Sequence, residues 1–354
     1  MIHFVLLIAC AAVIYVACAW FVNAVEWLGQ RLRVGPLAVG TILAAFGTAL
    51  PESVVTFVAV VFGTGASQKD IGVGAAMGGP LALATVAYGV TGWMMLARRR
   101  RARVNAKAMV PVGGPAVDRG AAPAAPAPGD DTADLGRLAR DQRWFLAIFV
   151  VKVTLGLVAF AVKPWLGLLF FAAYAVYFWR EIRGGGGHGH GADLEPLLLQ
   201  RRRPQPATWA VVTQTLATLA VIFAASQLFV HQLDAIGPML GLSAAVTALL
   251  LSPIATELPE VMNAIIWVRQ GKTRLAMANV SGAMMIQATV PSGLGLLFTP
   301  WRFDTALLIS GLATMVAIGY LLLLLRTGRF TAKTVSFAAV FYLAFAVCLI
   351  PVLT

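Results

Sequence analysis

Charged side chains are scarce. They make up 12% of the 354 residues, where a soluble domain carries about 25%. That deficit excludes a soluble globular protein, and a hydrophobic content of 59% excludes a disordered one. Cysteine is nearly absent. Cys10, Cys18 and Cys348 all fall in apolar runs and none forms a CxxC pair, which excludes a disulfide scaffold or zinc cluster and reads as buried, inert thiols. There is no HExxH, GxSxG or P-loop, and Gly63-Thr64-Gly65 is too short a signal to stand for one, so the chain does not read as an enzyme. The alternating ten-residue segments of a membrane β-barrel are missing as well.

What is present is a series of apolar runs of about 20 residues, the length that crosses a bilayer as helix. Ten spans are expected, at 4–22, 36–62, 70–96, 144–162, 164–180, 208–230, 238–268, 273–298, 303–325 and 332–352. The fold class is therefore an all-α polytopic membrane protein. The first run lacks a basic leader and reads as a helix rather than a signal peptide. The second, third, seventh and eighth exceed the length needed and must tilt, kink or unwind.

The net charge of +12 is a matter of topology. Of 27 Lys and Arg, 23 fall in the odd-numbered connections and only Lys69, Lys163 and Arg302 in the even ones. The odd loops are then cytoplasmic and both termini outside, and nothing calls for a nucleic-acid partner. All nine Trp fall near expected span ends, as an interfacial belt requires. Two connections are irregular. Residues 97–143 hold Arg98–Arg101 and an Ala/Pro/Gly tract at 111–129, which reads as a flexible basic loop, with 130–143 a candidate surface helix. Residues 181–207 read as a glycine linker with His188, His190 and Arg201–Arg203. The His pair could hold a metal transiently, although a solvated linker accounts for it. The basic clusters could attract anionic lipid, although topology marking alone explains them.

An internal repeat organises the chain into halves 1–96 and 208–354, with 144–180 carrying the fourth and fifth spans. Gly47-Thr48-Ala49-Leu50-Pro51-Glu52 returns as Ala255-Thr256-Glu257-Leu258-Pro259-Glu260. The second span recurs in the seventh, five spans later, so the copies cross the membrane in opposite directions. The repeats cover 36–96 and 238–298. Glycines at 72–79 and the small residues at 277–283 read as close-packing stripes.

Away from the span ends, only three acids lie within the expected spans, Glu52, Glu257 and Glu260, against one base, Lys152. An ionised carboxylate there costs about 2.5 kcal/mol or more, so it must pair, protonate or bind cations. Lys152 reads either as a snorkelling side chain, the favoured reading, or as their counter-ion. Pro51 and Pro259 cannot donate a hydrogen bond to the carbonyls of Gly47 and Ala255. Freed carbonyls beside Thr48, Thr256 and the glutamates offer the oxygen-rich surroundings that calcium takes, in unwound helices near the midplane. A Pro-kinked helix with a neutral Glu would explain either motif alone; its recurrence in inverted register argues for a site.

These motifs resemble the sodium/calcium exchanger group of the cation/calcium exchanger superfamily, which carries two Gly-Thr-Ser-x-Pro-Glu repeats in inverted topology over ten spans. The resemblance implies calcium binding at Glu52 and Glu260, with further ion-coordinating oxygens at Thr48 and Thr256. Asn263 falls one turn past Glu260, where the family often has Ser or Thr. The family serine is replaced by Ala49 and Glu257. Its Gly-Ser-Asn-x-x-Asn/Asp element reads Gly78-Gly79-Pro80-Leu81-Ala82-Leu83 and Gly282-Ala283-Met284-Met285-Ile286-Gln287. The sodium-liganding oxygens are thus depleted, while Glu257 adds a titratable carboxylate, so calcium (or a similar divalent cation) could exchange for sodium or for protons. The expected function is a secondary antiporter without cofactor, in a prokaryotic plasma (inner) membrane, with membrane lipid and the transported cations as its partners and no oligomeric state implied. The alternative is a cation channel with an acidic selectivity site.

Overall fold

The computed structural model describes residues 2–35, 38–62, 66–108, 128–184, 194–239, 241, 250 and 252–353. These residues are helical, without a strand among them. The first half comprises α1 (Ile2–Arg31), α2 (Ala45–Phe57) between π-helical turns Val39–Ala44 and Val58–Phe62, α3 (Ala66–Ala82), a π-helical turn Leu83–Ala87, and α4 (Tyr88–Ala108). Then come α5 (Pro128–Leu157), a 3-10 turn Lys163–Leu166, and α6 (Gly167–Gly184). The second half comprises α7 (Thr208–Met239), α8 (Ser252–Thr256), α9 (Leu258–Gln270), α10 (Thr273–Phe298), α11 (Thr305–Arg326), α12 (Ala332–Ser336) and α13 (Ala339–Leu353).

Among the described residues, six helical stretches are long and apolar enough to cross a membrane: Ile2–Arg31, Gly72–Ala102, Thr208–Phe229, Thr273–Phe298, Thr305–Arg326 and Ala332–Val352. They answer to the first, third, sixth, eighth, ninth and tenth expected spans. The other four are those whose helices carry π turns (the second), charged ends (the fourth and fifth) or a break (the seventh), so the count of ten is approximate.

The repeat helices form the centre. α10 packs against α2, α3, α5, α6 and α9, and 83% of its most apolar stretch is buried. The approach to the π turn leading into α2 is backbone to backbone, because a Cβ on Gly282 would collide with the Thr41 backbone. α1 and α7 pack chiefly on each other, with 33% of the corresponding stretch buried in each. They form a loosely covered pair beside the repeat core.

Several expectations are corrected. The fourth span does not run to residue 162. α5 ends at Leu157, where Lys163 folds back and donates to the carbonyls of Val158 (2.6 Å) and Trp301 (2.8 Å). Residues 130–143 are no separate surface helix but the first part of α5. Its Arg137 ion-pairs with Glu181 of α6, with Nε at 3.0 Å from Oε2, and the Thr41 hydroxyl donates to that same oxygen (3.2 Å). Gln142 donates to Tyr88 Oη (2.7 Å) and Ser281 Oγ (3.3 Å). Likewise, 194–207 is docked on α1 and α7. Asn23 donates to the Pro196 carbonyl (3.2 Å), Trp27 to that of Glu195 (3.0 Å), and Leu199 N–H to Gln214 Oε1 (2.8 Å). The tenth span is interrupted at Phe337-Ala338. Trp27, Trp267 and Trp301 are buried rather than interfacial, Trp267 donating to Glu26 Oε1 (2.9 Å). Cys348 is exposed on α13, while Cys10 and Cys18 are buried. Residues 111–127, His188, His190 and Gly63–Gly65 lie outside the described residues.

Two predictions follow from this packing. Gly282→Ala lowers the melting temperature of the detergent-solubilised protein, at a cost of about 1–3 kcal/mol for the forced separation of α2 and α10. Gly319→Ala, where a Cβ meets nothing within 4 Å, leaves it unchanged or raises it through helix propensity. The second prediction concerns Asp141, on α5 ahead of the fourth span. Burial, then the Glu181 carboxylate, pushes its carboxyl up to about 7, against the pull of Arg140 and Arg137. A folded-state value above the unfolded one contributes stability that is full at low pH and lost as pH rises through about 7. Thermal melts of Asp141→Asn therefore exceed wild type above neutral pH, and the gap closes towards pH 4; an equal gap at both ends would reject the assignment.

Candidate ion-binding site

The two copies of the repeated motif fold differently. In the first, α2 runs through Pro51 without interruption, so the expected unwinding is absent there. The helix instead widens into π turns on either side, irregularities that often mark functional sites. In the second copy the helix breaks. Glu257 sits between α8 and α9 with φ −85 and ψ 4. Pro259 then falls in the first turn of α9, where its missing N–H costs nothing. Glu260 lies in that same first turn, where the positive end of the helix dipole favours a carboxylate.

The break directs polar groups against α3 and α10. Glu257 and Glu260 are each 1% exposed. Gln287 of α10 donates from Nε2 to Glu257 Oε1 at 2.6 Å. This pair fills the space left by the absent side chain of Gly79: a Cβ there would lie 2.8 Å from Glu257 Oε1 and would collide with Gln287 Oε1. Pro253 of α8 closes against Gly78 in the same layer. Asn279 of α10 donates to the backbone carbonyl of Glu260 (3.3 Å). Asn263 is fully buried, and its amide has no hydrogen-bond partner among the described residues.

The motif threonines donate their protons to carbonyls of the preceding turn. Thr48 is buried and donates to the Ala44 carbonyl (3.0 Å); Thr256 donates to that of Pro253 (3.2 Å). Each hydroxyl oxygen thereby keeps lone pairs for a cation. Gly47 faces Phe21 of α1 and Leu219 of α7, its Cβ position 3.1 and 3.2 Å from them. It thus joins the motif helix to the outlying pair. Glu52 and Ala255 lie on α2 and α8, but their side chains are outside those described. Among the described residues no three His, Cys, Asp or Glu side chains gather as a metal centre.

Two residues were not legible as part of this region. Asn279 looked like one more small residue of the α10 stripe. Lys152 does not snorkel: it is 0% exposed, and Nζ donates to the Ala76 carbonyl (2.8 Å) and the Ser292 hydroxyl (3.1 Å). The pattern that could have found it is Pro80, four residues past Ala76, which deprives that carbonyl of its helical partner.

The family described as sodium/calcium exchanger protein matches residues 2–182 and 210–351. A curated relative, "Putative antiporter CaxA" of Alkalimonas amylolytica, is 29% identical over 168 residues, 46% of this chain and 52% of that protein. The chain thus aligns with about half the length of that relative. The fold is similar to solved structures of the sodium-calcium exchanger NCX_Mj. The form soaked with 2.5 mM Na+ and 10 mM Sr2+ gives a TM-score of 0.69 at 15% identity over 97% of both chains. The form soaked with zero Na+ and Ca2+ gives 0.65 at 17% identity over 99% of this chain and 98% of the other.

The contact between Gly79, Glu257 and Gln287 is testable as a cycle. Gly79→Ala lowers the melting temperature of the purified protein, and Gln287→Ala, which removes the colliding atom, recovers about 1 kcal/mol or more of that loss in the double variant. Additive effects of the two changes would break the proposed contact.

Proposed function

The chain belongs to the sodium/calcium exchanger protein family, and from that membership we propose that it is a secondary antiporter exchanging calcium, or a similar divalent cation, for sodium or protons. The observation that carries this reading is the helix break at Glu257, which buries two carboxylates, Glu257 and Glu260, against the central helix α10. Carboxylates so placed within an apolar bundle are functional by default, because they cost several kcal/mol to keep without a cation or a proton. The relatives agree: one is named "Putative antiporter CaxA", and the other is a sodium-calcium exchanger soaked with Na+ and Ca2+ or Sr2+.

In this reading Glu52 and Glu260 bind the divalent ion. The hydroxyl oxygens of Thr48 and Thr256, the carbonyls of Gly47 and Ala255 and the amide of Asn263 supply further hard oxygen ligands. Gln287 orients the Glu257 carboxylate, which carries part of the monovalent exchange. Coupling is mutual exclusion: the site holds either the divalent ion or the monovalent ions that balance the same carboxylates. Access alternates as the α1/α7 pair slides over the repeat core, with Gly47 at the sliding contact. The basic odd-numbered loops face the cytoplasm and both termini face outward.

Reconstitution into calcium-loaded proteoliposomes tests this. Calcium flux follows an imposed sodium gradient or an imposed pH gradient, and Glu52→Gln or Glu260→Gln abolishes it, a loss of about 100-fold or more. Wild-type-like flux in both variants would sink the assigned site. Flux that ignores every opposing gradient would make the protein a channel.

A further inference from the structure

We propose that Lys152 is a tethered monovalent cation, held beside the ion site, that fixes the exchange at two monovalent ions per divalent ion. The inference rests on the antiport reading above and adds its stoichiometry.

The surroundings of Lys152 are those of a bound cation. Pro80 on α3 has no N–H to offer the Ala76 carbonyl four residues before it, and Lys152 Nζ takes that carbonyl at 2.8 Å. Ser292 on α10 accepts a second hydrogen bond at 3.1 Å. The ring of Phe149, one turn earlier on α5, lies 4.5 Å from Nζ to its centroid. A carbonyl oxygen, a hydroxyl oxygen and an aromatic face are all attractive to a desolvated positive charge. Trp301 closes the outer side, its indole N–H donating to the Lys152 carbonyl at 3.1 Å. The side chain is fully buried.

The ammonium is near the carboxylates without being consumed by one. None of the ion pairs among the described residues includes it. Ala76 precedes Gly79 by three residues on α3, and Ser292 follows Gln287 by five on α10. Nζ therefore bridges α3 and α10 about one to one and a half helical turns, some 5–8 Å, from the layer where Gly79, Glu257 and Gln287 meet. At that distance in a low-dielectric interior, its charge acts on the Glu257 carboxylate.

The charge count then sets the ratio. Away from the span ends, Glu52, Glu257 and Glu260 against Lys152 leave the spans with two net negative charges. One divalent ion or two monovalent ions restore neutrality, so the cycle moves no net charge. With Lys152 neutralised, three monovalent ions are needed to satisfy the carboxylates, and exchange against one divalent ion carries one net charge per cycle.

The test uses the full chain in proteoliposomes, with calcium exchange run to equilibrium under a membrane potential clamped by valinomycin and a potassium gradient. For the wild type, the calcium ratio is insensitive to potential. For Lys152→Met, a potassium gradient of about tenfold shifts that ratio about tenfold, as one net charge per cycle requires. Lys152→Arg, which keeps the charge, stays insensitive. A potential-dependent wild type overturns the proposal whether or not Lys152→Met folds, and so does a Lys152→Met protein that exchanges without responding to potential. Absence of any exchange by the wild type instead removes the antiport reading itself.

Discussion

Glu257 and Glu260 are each 1% exposed in a chain built from apolar helices, and holding them there constrains the rest of the structure. A carboxylate at that depth costs several kcal/mol unless dipoles, hydrogen bonds or cations meet it. The break after Thr256 answers part of that cost. It places Glu260 in the first turn of α9 and turns Glu257 towards the Gln287 amide, 2.6 Å away. Such a break tolerates lipid poorly, because irregular backbone at membrane depth must be covered by protein. α10 provides the cover, which is why it is the most buried of the apolar helices. Its small residues follow from the same demand: at Gly282 the Thr41 backbone leaves no space for a methyl group.

The covering of α10 also explains what is left loose. α2, α3, α5, α6 and α9 occupy its circumference, and α1 and α7 are left to pack mainly on each other. The pair packs more on itself than on the core, and its polar tie to the core runs through α9, where Trp267 donates to Glu26 of α1 and Lys272, just beyond the helix, pairs with it. Arg137, Glu181 and Thr41 add a buried polar tie between α5, α6 and the turn leading into α2.

Much of this was legible in the sequence because it rests on rare residues in an apolar background. Acids and prolines repeated in inverted register gave the repeat, the site helices and the family resemblance. What was not legible depends on partners distant in the chain. Lys152 looked like a snorkelling lysine because neither Pro80 nor Ser292 is near it in sequence. Trp267 and Trp301 were read as interfacial from their place in the chain, yet each finds a buried acceptor, Glu26 and the Lys152 carbonyl. Residues 130–143 looked like a surface helix because their charges were counted as solvated, whereas Arg137 and Asp141 are turned inward around Glu181. Pro51 and Pro259 share a motif but not a conformation: the first copy stays helical through Pro51, and the second breaks at Glu257.

The departures from the family pattern acquire a physical reading from one contact. In sequence, the serine of the second motif has become Glu257, and the acidic or amide position of the eighth span is Gln287. Taken separately, these look like the loss of one ligand and the gain of an unrelated acid. In the structure they touch, Gln287 Nε2 on Glu257 Oε1, in the space that Gly79 vacates by having no side chain. The three positions are coupled: a Cβ at position 79 would press on the ends of both side chains, and an acid at 287 would set two buried carboxylates against each other, which only a proton or a cation could hold together. The layer therefore places its carboxylate at the break between α8 and α9, one turn from Glu260.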